Sequence, residues 1–192
     1  MRNLAKIITT QEVMPPGYVT YRNDRSDGYG GVAVAVKDTL ISSEADIETK
    51  RELIAVQIEG EGNLSLIVAT LYRSPNGNIE YMNTLCSDIH NLNEKFKSST
   101  IWIAGDANLS DIDWKTDSIQ GSNYPKEFSE QVIDLKTTCG FSQVVDFTAR
   151  EDKTLEVFLT NRPSLINRVT PIPGISDHDT IPYIESSIQA KY

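Results

Sequence analysis

At 192 residues the chain is long enough to bury one sizeable core, and it has no run of roughly 18 apolar residues of the kind a membrane-spanning helix needs. Its formal net charge of -9 excludes binding of nucleic acid by bulk electrostatics, because neutralising many phosphates takes clustered Lys and Arg. An enzyme that touches a phosphate locally is not excluded, since a cation held by carboxylates inverts the charge of an acidic site.

Residues 1–14 read as an irregular leader ending in the break Met14-Pro-Pro-Gly17, and 15–192 as one domain. The apolar stretch in the first ten residues is too short for a secretory signal, which places the protein inside the cell, in nucleus or cytoplasm. Tyr18–Arg22 and Val32–Val36 are β-rich segments joined by a glycine-containing turn, a hairpin pattern. Gly28, Gly30 and Gly31 belong to that turn, because no helix signal and no Lys-Ser/Thr follows them as a phosphate loop requires. The charged stretch 42–51 reads as a solvated connection. Glu52–Ile58 and Leu64–Tyr72 are two further strands, the second ending in Tyr72-Arg-Ser-Pro-Asn-Gly77, where a polar aromatic and a cation stand at a strand-to-loop boundary.

Apolar residues at Met82, Leu85, Ile89, Leu92 and Phe96, with Asn78 as the cap, predict an amphipathic helix. His90 lies off its apolar stripe and reads as a solvated side chain. Next comes the segment Ile101-Trp-Ile-Ala-Gly-Asp-Ala-Asn108, a buried strand that ends by placing Asp106 and Asn108 two residues apart. In extended backbone such residues share a face, and core packing does not ask for that pair. A second helix is predicted from a cap at Ser122 or Asn123, with Pro125 just inside, to a C′ glycine at Gly140; its apolar face is Phe128, Val132, Leu135 and Cys139. Four segments of strand character close the chain: Phe141–Phe147, Thr154–Thr160, Ile166–Ile172 and Thr180–Ile184. Strands and helices interleave with hairpins rather than strict alternation, which points to an α/β architecture of packed mixed or antiparallel sheets with helices outside.

Cys86 and Cys139 have no metal or redox spacing and read as reduced thiols. The second histidine, His178, is flanked by Asp177 and Asp179 just before a strand, and carboxylates on both sides orient an imidazole and favour its cation. Without a Gly-x-Ser-x-Gly, a cysteine nucleophile signature or an HExxH, the inventory is carboxylates plus histidine. That set suits water activation on a phosphodiester beside an oxygen-loving cation.

Gly105-Asp-Ala-Asn108 and Ser176-Asp-His178, in that order, resemble the two motifs of the endonuclease/exonuclease/phosphatase superfamily. Within it, Gly105–Trp114, Thr154–Ser164 and Gly174–Asp179 are most similar to the endonuclease domains of non-LTR (LINE-like) retrotransposons, and the likeness runs from about Pro15 to the C-terminus. The resemblance implies a four-layer α/β-sandwich and Mg²⁺-dependent hydrolysis of DNA, with Mn²⁺ as a possible substitute. It implies Asp106 as the base for the attacking water, Asn108 as a ligand for that water or a phosphate oxygen, and His178 as a donor to the phosphate. It implies Asp177 at the metal and Tyr72 on the phosphate. Glu156 stands where the family has the Asp that orients the histidine, keeping the charge with one methylene more. The family's first strand, with an Asn, and second strand, ending in a metal-binding Glu, are expected to be missing here. The expectation is therefore a weakened or inactive DNA-nicking domain, an N-terminally shortened copy whose full-length ancestor carried a reverse transcriptase. Its rivals are a non-catalytic remnant that binds nucleic acid or protein and a phosphatase of the same superfamily.

Overall fold

The structure, a computed structural model, describes residues 14–26, 31–61, 64–147, 154–173 and 180–191. Its centre is a six-stranded sheet in the order β3-β4-β5-β6-β10-β9. The members are β3 (Ser42–Glu44), β4 (Leu53–Glu59), β5 (Ser65–Tyr72), β6 (Thr100–Asp106), β9 (Ser142–Gln143) and β10 (Glu156–Thr160). Outside this sheet, β1 (Tyr18–Asp24) pairs with β2 (Gly31–Lys37), β7 (Ile112–Asp113) with β8 (Ser118–Ile119), and β11 (Ile166–Pro173) with β12 (Thr180–Ser186), all antiparallel. Within the sheet β5 and β6 run parallel while the other neighbours are antiparallel, so the sheet is mixed. A parallel neighbour needs a crossover, which is supplied by α1 (Ile79–Lys95).

The alternation of side chains along the central strands assigns each face to a different core. Leu53, Ala55, Ile67, Ala69, Leu71, Ile101, Ile103, Val157 and Leu159 point to one side. There they pack against Met82, Leu85, Ile89 and Leu92 of α1 and Phe128, Val132 and Leu135 of α2 (Lys126–Thr138). Ile54, Val56, Ile58 and Leu66 point to the other side and meet Val32, Val34 and Val36 of β2. Helices, six-stranded sheet and a second strand layer thus stack in order, the α/β-sandwich expected from the sequence.

Four local expectations change. Residues 42–44 are not a loop but the edge strand β3, since an edge position needs main-chain pairing on one side alone and accepts Ser and Glu readily. Only Ser142–Gln143 of the 141–147 segment pairs as strand. The stretch after Asp106 contains the small hairpin β7–β8. Finally, α2 has Pro125 as its N-cap with no side-chain cap, and Asn123 Nδ2 donates to the Asp111 carboxylate at 2.5 Å. Gly140 does follow α2 with φ of 67°, where a side chain would be strained. His90 is exposed. The thiols are free; burial pushes Cys86 up to about 12, so it stays protonated at neutral pH.

At α1 the cap is the one the sequence calls for: the Asn78 side chain accepts from the Tyr81 amide at 2.8 Å. Asn78→Ala removes this partner from an otherwise orphaned donor and is expected to lower unfolding free energy by about 1 kcal/mol. Urea denaturation measures it, with a shift of the midpoint at unchanged m value.

Candidate functional site

Register brings three of the sequence-predicted residues into one row. Asp106 lies opposite Tyr72 across the parallel β5–β6 pair and opposite Glu156 across the antiparallel β6–β10 pair. All three fall on the face of the sheet turned to the second strand layer. Tyr72 packs against the cluster containing Val32 and Ile54. Asp106 and Glu156 share the side of their strands with Trp102 and Phe158, whose rings tilt against each other at 5.5 Å. The row sits where β5 and β6 end and β10 begins. Directly opposed residues have Cβ atoms about 5 Å apart, and like charges so placed repel. Glu156 is 8% exposed, so that repulsion is poorly screened by water.

The end of β6 is shaped by Gly105. Its φ is 151°, and a Cβ on it would stand 1.9 Å from the Leu71 carbonyl oxygen on the neighbouring strand. After Asp106 the chain turns sharply. Asn108 takes a left-handed conformation, φ 49°, held by donation from its own amide to Asp106 Oδ1 at 2.8 Å. Asp106 and Asn108 therefore do not share a strand face as extended backbone would require; the strand ends at Asp106. Asn108 reaches back instead, its Nδ2 donating to the Arg73 carbonyl at 2.9 Å. Ala107 and Leu109 on either side are buried among the helix-side core residues, and the Ala107 amide donates to the Leu155 carbonyl at 3.1 Å.

Arg73, noted in the sequence as a cation at a strand-to-loop boundary, is 1% exposed. Its amide donates to the Asp106 carbonyl at 2.9 Å, and its Nη1 donates to the carbonyls of Asn108 at 2.9 Å and Ala107 at 3.3 Å. The guanidinium lies over the rings of Tyr124 at 4.7 Å and Phe128 at 5.1 Å. Burial pulls the Arg73 guanidinium below its usual value, opposed by Tyr124 and then Asp106. Tyr124 has no catalytic motif around it and could not have been found from sequence.

Asp177 and His178 fall between β11 and β12, outside the described residues. Among the described residues no group of three or more His, Cys, Asp or Glu is gathered as a metal site. The Asp106–Glu156 pair supplies oxygen donors alone, a set that fits a hard divalent cation rather than a soft one. No helix among the described residues is long and apolar enough to cross a membrane.

No protein-family model matches the sequence, and no curated protein matches it. Solved structures do. The catalytic domain of Xenopus laevis APE2 superposes with a TM-score of 0.60 at 16% identity, over 94% of this chain and 79% of that one. A 3′-5′ exonuclease of Neisseria meningitidis, NExo, gives 0.55 at 11%, over 92% and 80%. An endonuclease/exonuclease/phosphatase family protein of Leptotrichia buccalis gives 0.55 at 15%, over 90% and 72%. The chain has the fold of these endonuclease/exonuclease/phosphatase proteins.

Gly105→Ala forces a methyl group into the Leu71 carbonyl and a disfavoured φ at once. The expected loss is about 3 to 5 kcal/mol of unfolding free energy, the sum of backbone strain and overpacking. Chemical denaturation checks it, and a loss below about 1 kcal/mol would show that β6 relaxes without cost.

Proposed function

We propose that this protein is a divalent-metal-dependent nuclease of the LINE-like retrotransposon type that nicks DNA by hydrolysing a phosphodiester bond. The observation that carries the reading is the row of Tyr72, Asp106 and Glu156 across three adjacent strands, at the strand ends where α/β sheets bind ligands. A tyrosine hydroxyl next to a carboxylate pair has the chemistry to meet one phosphate and one water. The exonuclease name of the NExo neighbour and the ordered motifs ending in Asp177 and His178 support the same substrate class.

In this reading Asp106 accepts the proton of the attacking water or orients it as general base. Asn108, fixed by its bond to the Arg73 carbonyl, holds the water or a phosphate oxygen. Tyr72 donates to a second phosphate oxygen. His178 donates to the phosphate as negative charge builds in the transition state, and Glu156 orients its ring. Asp177 and a carboxylate of the opposed pair are the residues proposed to hold Mg²⁺ or Mn²⁺. Such an ion supplies charge neutralisation at the phosphate and at the carboxylates themselves. Contact with DNA is local, consistent with a net charge of -9.

Glu in place of the family's Asp at position 156 sets the histidine partner one methylene too far along, and a catalytic constellation tolerates about 0.5 Å of misplacement. Turnover should therefore be slow. Incubated with supercoiled plasmid and Mg²⁺, the protein is expected to yield relaxed circles. Glu156→Asp should raise the rate several-fold, whereas Asp106→Ala and His178→Ala each lower it by about a hundredfold. Cleavage that survives both alanine substitutions refutes the assignment. Intact DNA alongside release of phosphate from a monoester would point to a phosphatase instead, and metal-independent DNA binding without turnover to a non-catalytic module.

A further inference from the structure

The buried cation below the acidic row has no role in the chemistry just described. Burying a guanidinium costs several kcal/mol unless its donors are satisfied, yet Arg73 Nη2 has no hydrogen-bond partner among the described residues. Core packing alone would be served better by Leu or Met at this position. What the guanidinium does reach is specific: the carbonyls of Ala107 and Asn108, the two residues directly after Asp106. With its own amide on the Asp106 carbonyl and its own carbonyl taken by Asn108 Nδ2, one residue contacts three consecutive positions of the motif turn through four hydrogen bonds.

The surroundings fix the guanidinium in turn. Asp111, 2% exposed, accepts from the Tyr124 amide at 2.9 Å and from Asn123 Nδ2 at 2.5 Å. Gly121 is what lets the loop close on it, since a Cβ there would meet Asp111 Oδ1 at 2.4 Å and its φ is 149°. The loop so closed lays the Tyr124 ring on the guanidinium from one side while Phe128 of α2 approaches it too. Cation–π contact with desolvated rings offsets part of the burial cost and holds the guanidinium in one orientation.

We propose that Arg73 is the positioning residue of this site. Its Nη1, donating to the Ala107 and Asn108 carbonyls, holds Asn108 in the left-handed conformation, and through the Asn108 amide it fixes the Asp106 carboxylate where the reacting phosphate must come. Lys is a poor replacement, because an ammonium lacks the planar face that lies against Tyr124 and Phe128 and so aims Nη1 at both carbonyls. The catalytic consequence rests on the hydrolase reading above; the conformational role does not.

Two readouts on Arg73→Met and Arg73→Lys separate these. By NMR on the full chain, amide hydrogen exchange at Asn108 should accelerate roughly tenfold or more in Arg73→Met, and its amide–Hα coupling should move away from the left-handed value. The β5 and β6 core amides should keep their protection. Arg73→Lys should show the same local change to a smaller degree. In the nicking assay, kcat should fall by about a hundredfold with KM changed little, as expected for a misplaced catalytic group. Native exchange and coupling at Asn108 in folded Arg73→Met overturn the proposal. If the Met variant does not fold, Arg73→Lys decides it, and a native Asn108 there overturns it equally. A perturbed Asn108 in a protein whose parent shows no nicking sustains the positioning role and rejects the nuclease reading. A fall in kcat matched by uniform loss of protection across the sheet would make Arg73 a stability residue and nothing more.

Discussion

The approach of β5 to the end of β6 depends on Gly105 having no side chain. With the Leu71 carbonyl 1.9 Å from where a Cβ would be, no other residue allows this pairing to run to the strand end. Because β5 and β6 are parallel, extending the pair one residue further puts Tyr72 and Asp106 at the same level. Because β10 is antiparallel to β6, the same level is where it begins, at Glu156. Three polar side chains are thereby placed in line by backbone pairing, with no recourse to flexible loops.

Much of this was readable beforehand, for identifiable reasons. The apolar spacing of Met82, Leu85, Ile89 and Leu92 and the alternation in β2 and β5 mark which face is buried, and the structure buries those faces. Asp106 stood out because a carboxylate at the end of a buried strand has no packing reason to be there. Other features depend on long-range partners that a local pattern does not encode. Residues 42–44 look like a charged loop because the main chain they pair with, β4, lies further along the sequence. Asn123 looks like a helix cap because nothing local reveals that the helix starts only at Lys126 and that Asn123 bonds the Asp111 side chain. The same-face argument for Asp106 and Asn108 assumed that the strand continues, and a φ of 49° at Asn108 ends it.

Arg73 is the sharper case. Sequence treats a cation after a strand as solvated, since a lone guanidinium in an apolar core is unfavourable. Here the core is not purely apolar: the turn after Asp106 offers two carbonyls, and two aromatic rings offer their faces. Those partners come from two other stretches of the chain, 107–108 and 124–128, so the burial is a property of the assembled fold.

The two faces of the sheet consequently carry opposite charge at one end. On the strand-layer side stand Asp106 and the nearly buried Glu156; on the helix side, separated from them by one layer of backbone, stands the Arg73 guanidinium. Coulomb attraction between Asp106 and Arg73 acts through that layer, where effective screening is far weaker than in water. A cation placed beneath the row attracts the carboxylate from the opposite face of the sheet. A salt bridge from the front would stabilise the same charge and block the same site. Positive charge on one face and carboxylate oxygens on the other thus stand at the same end of the sheet, placed there by strand pairing.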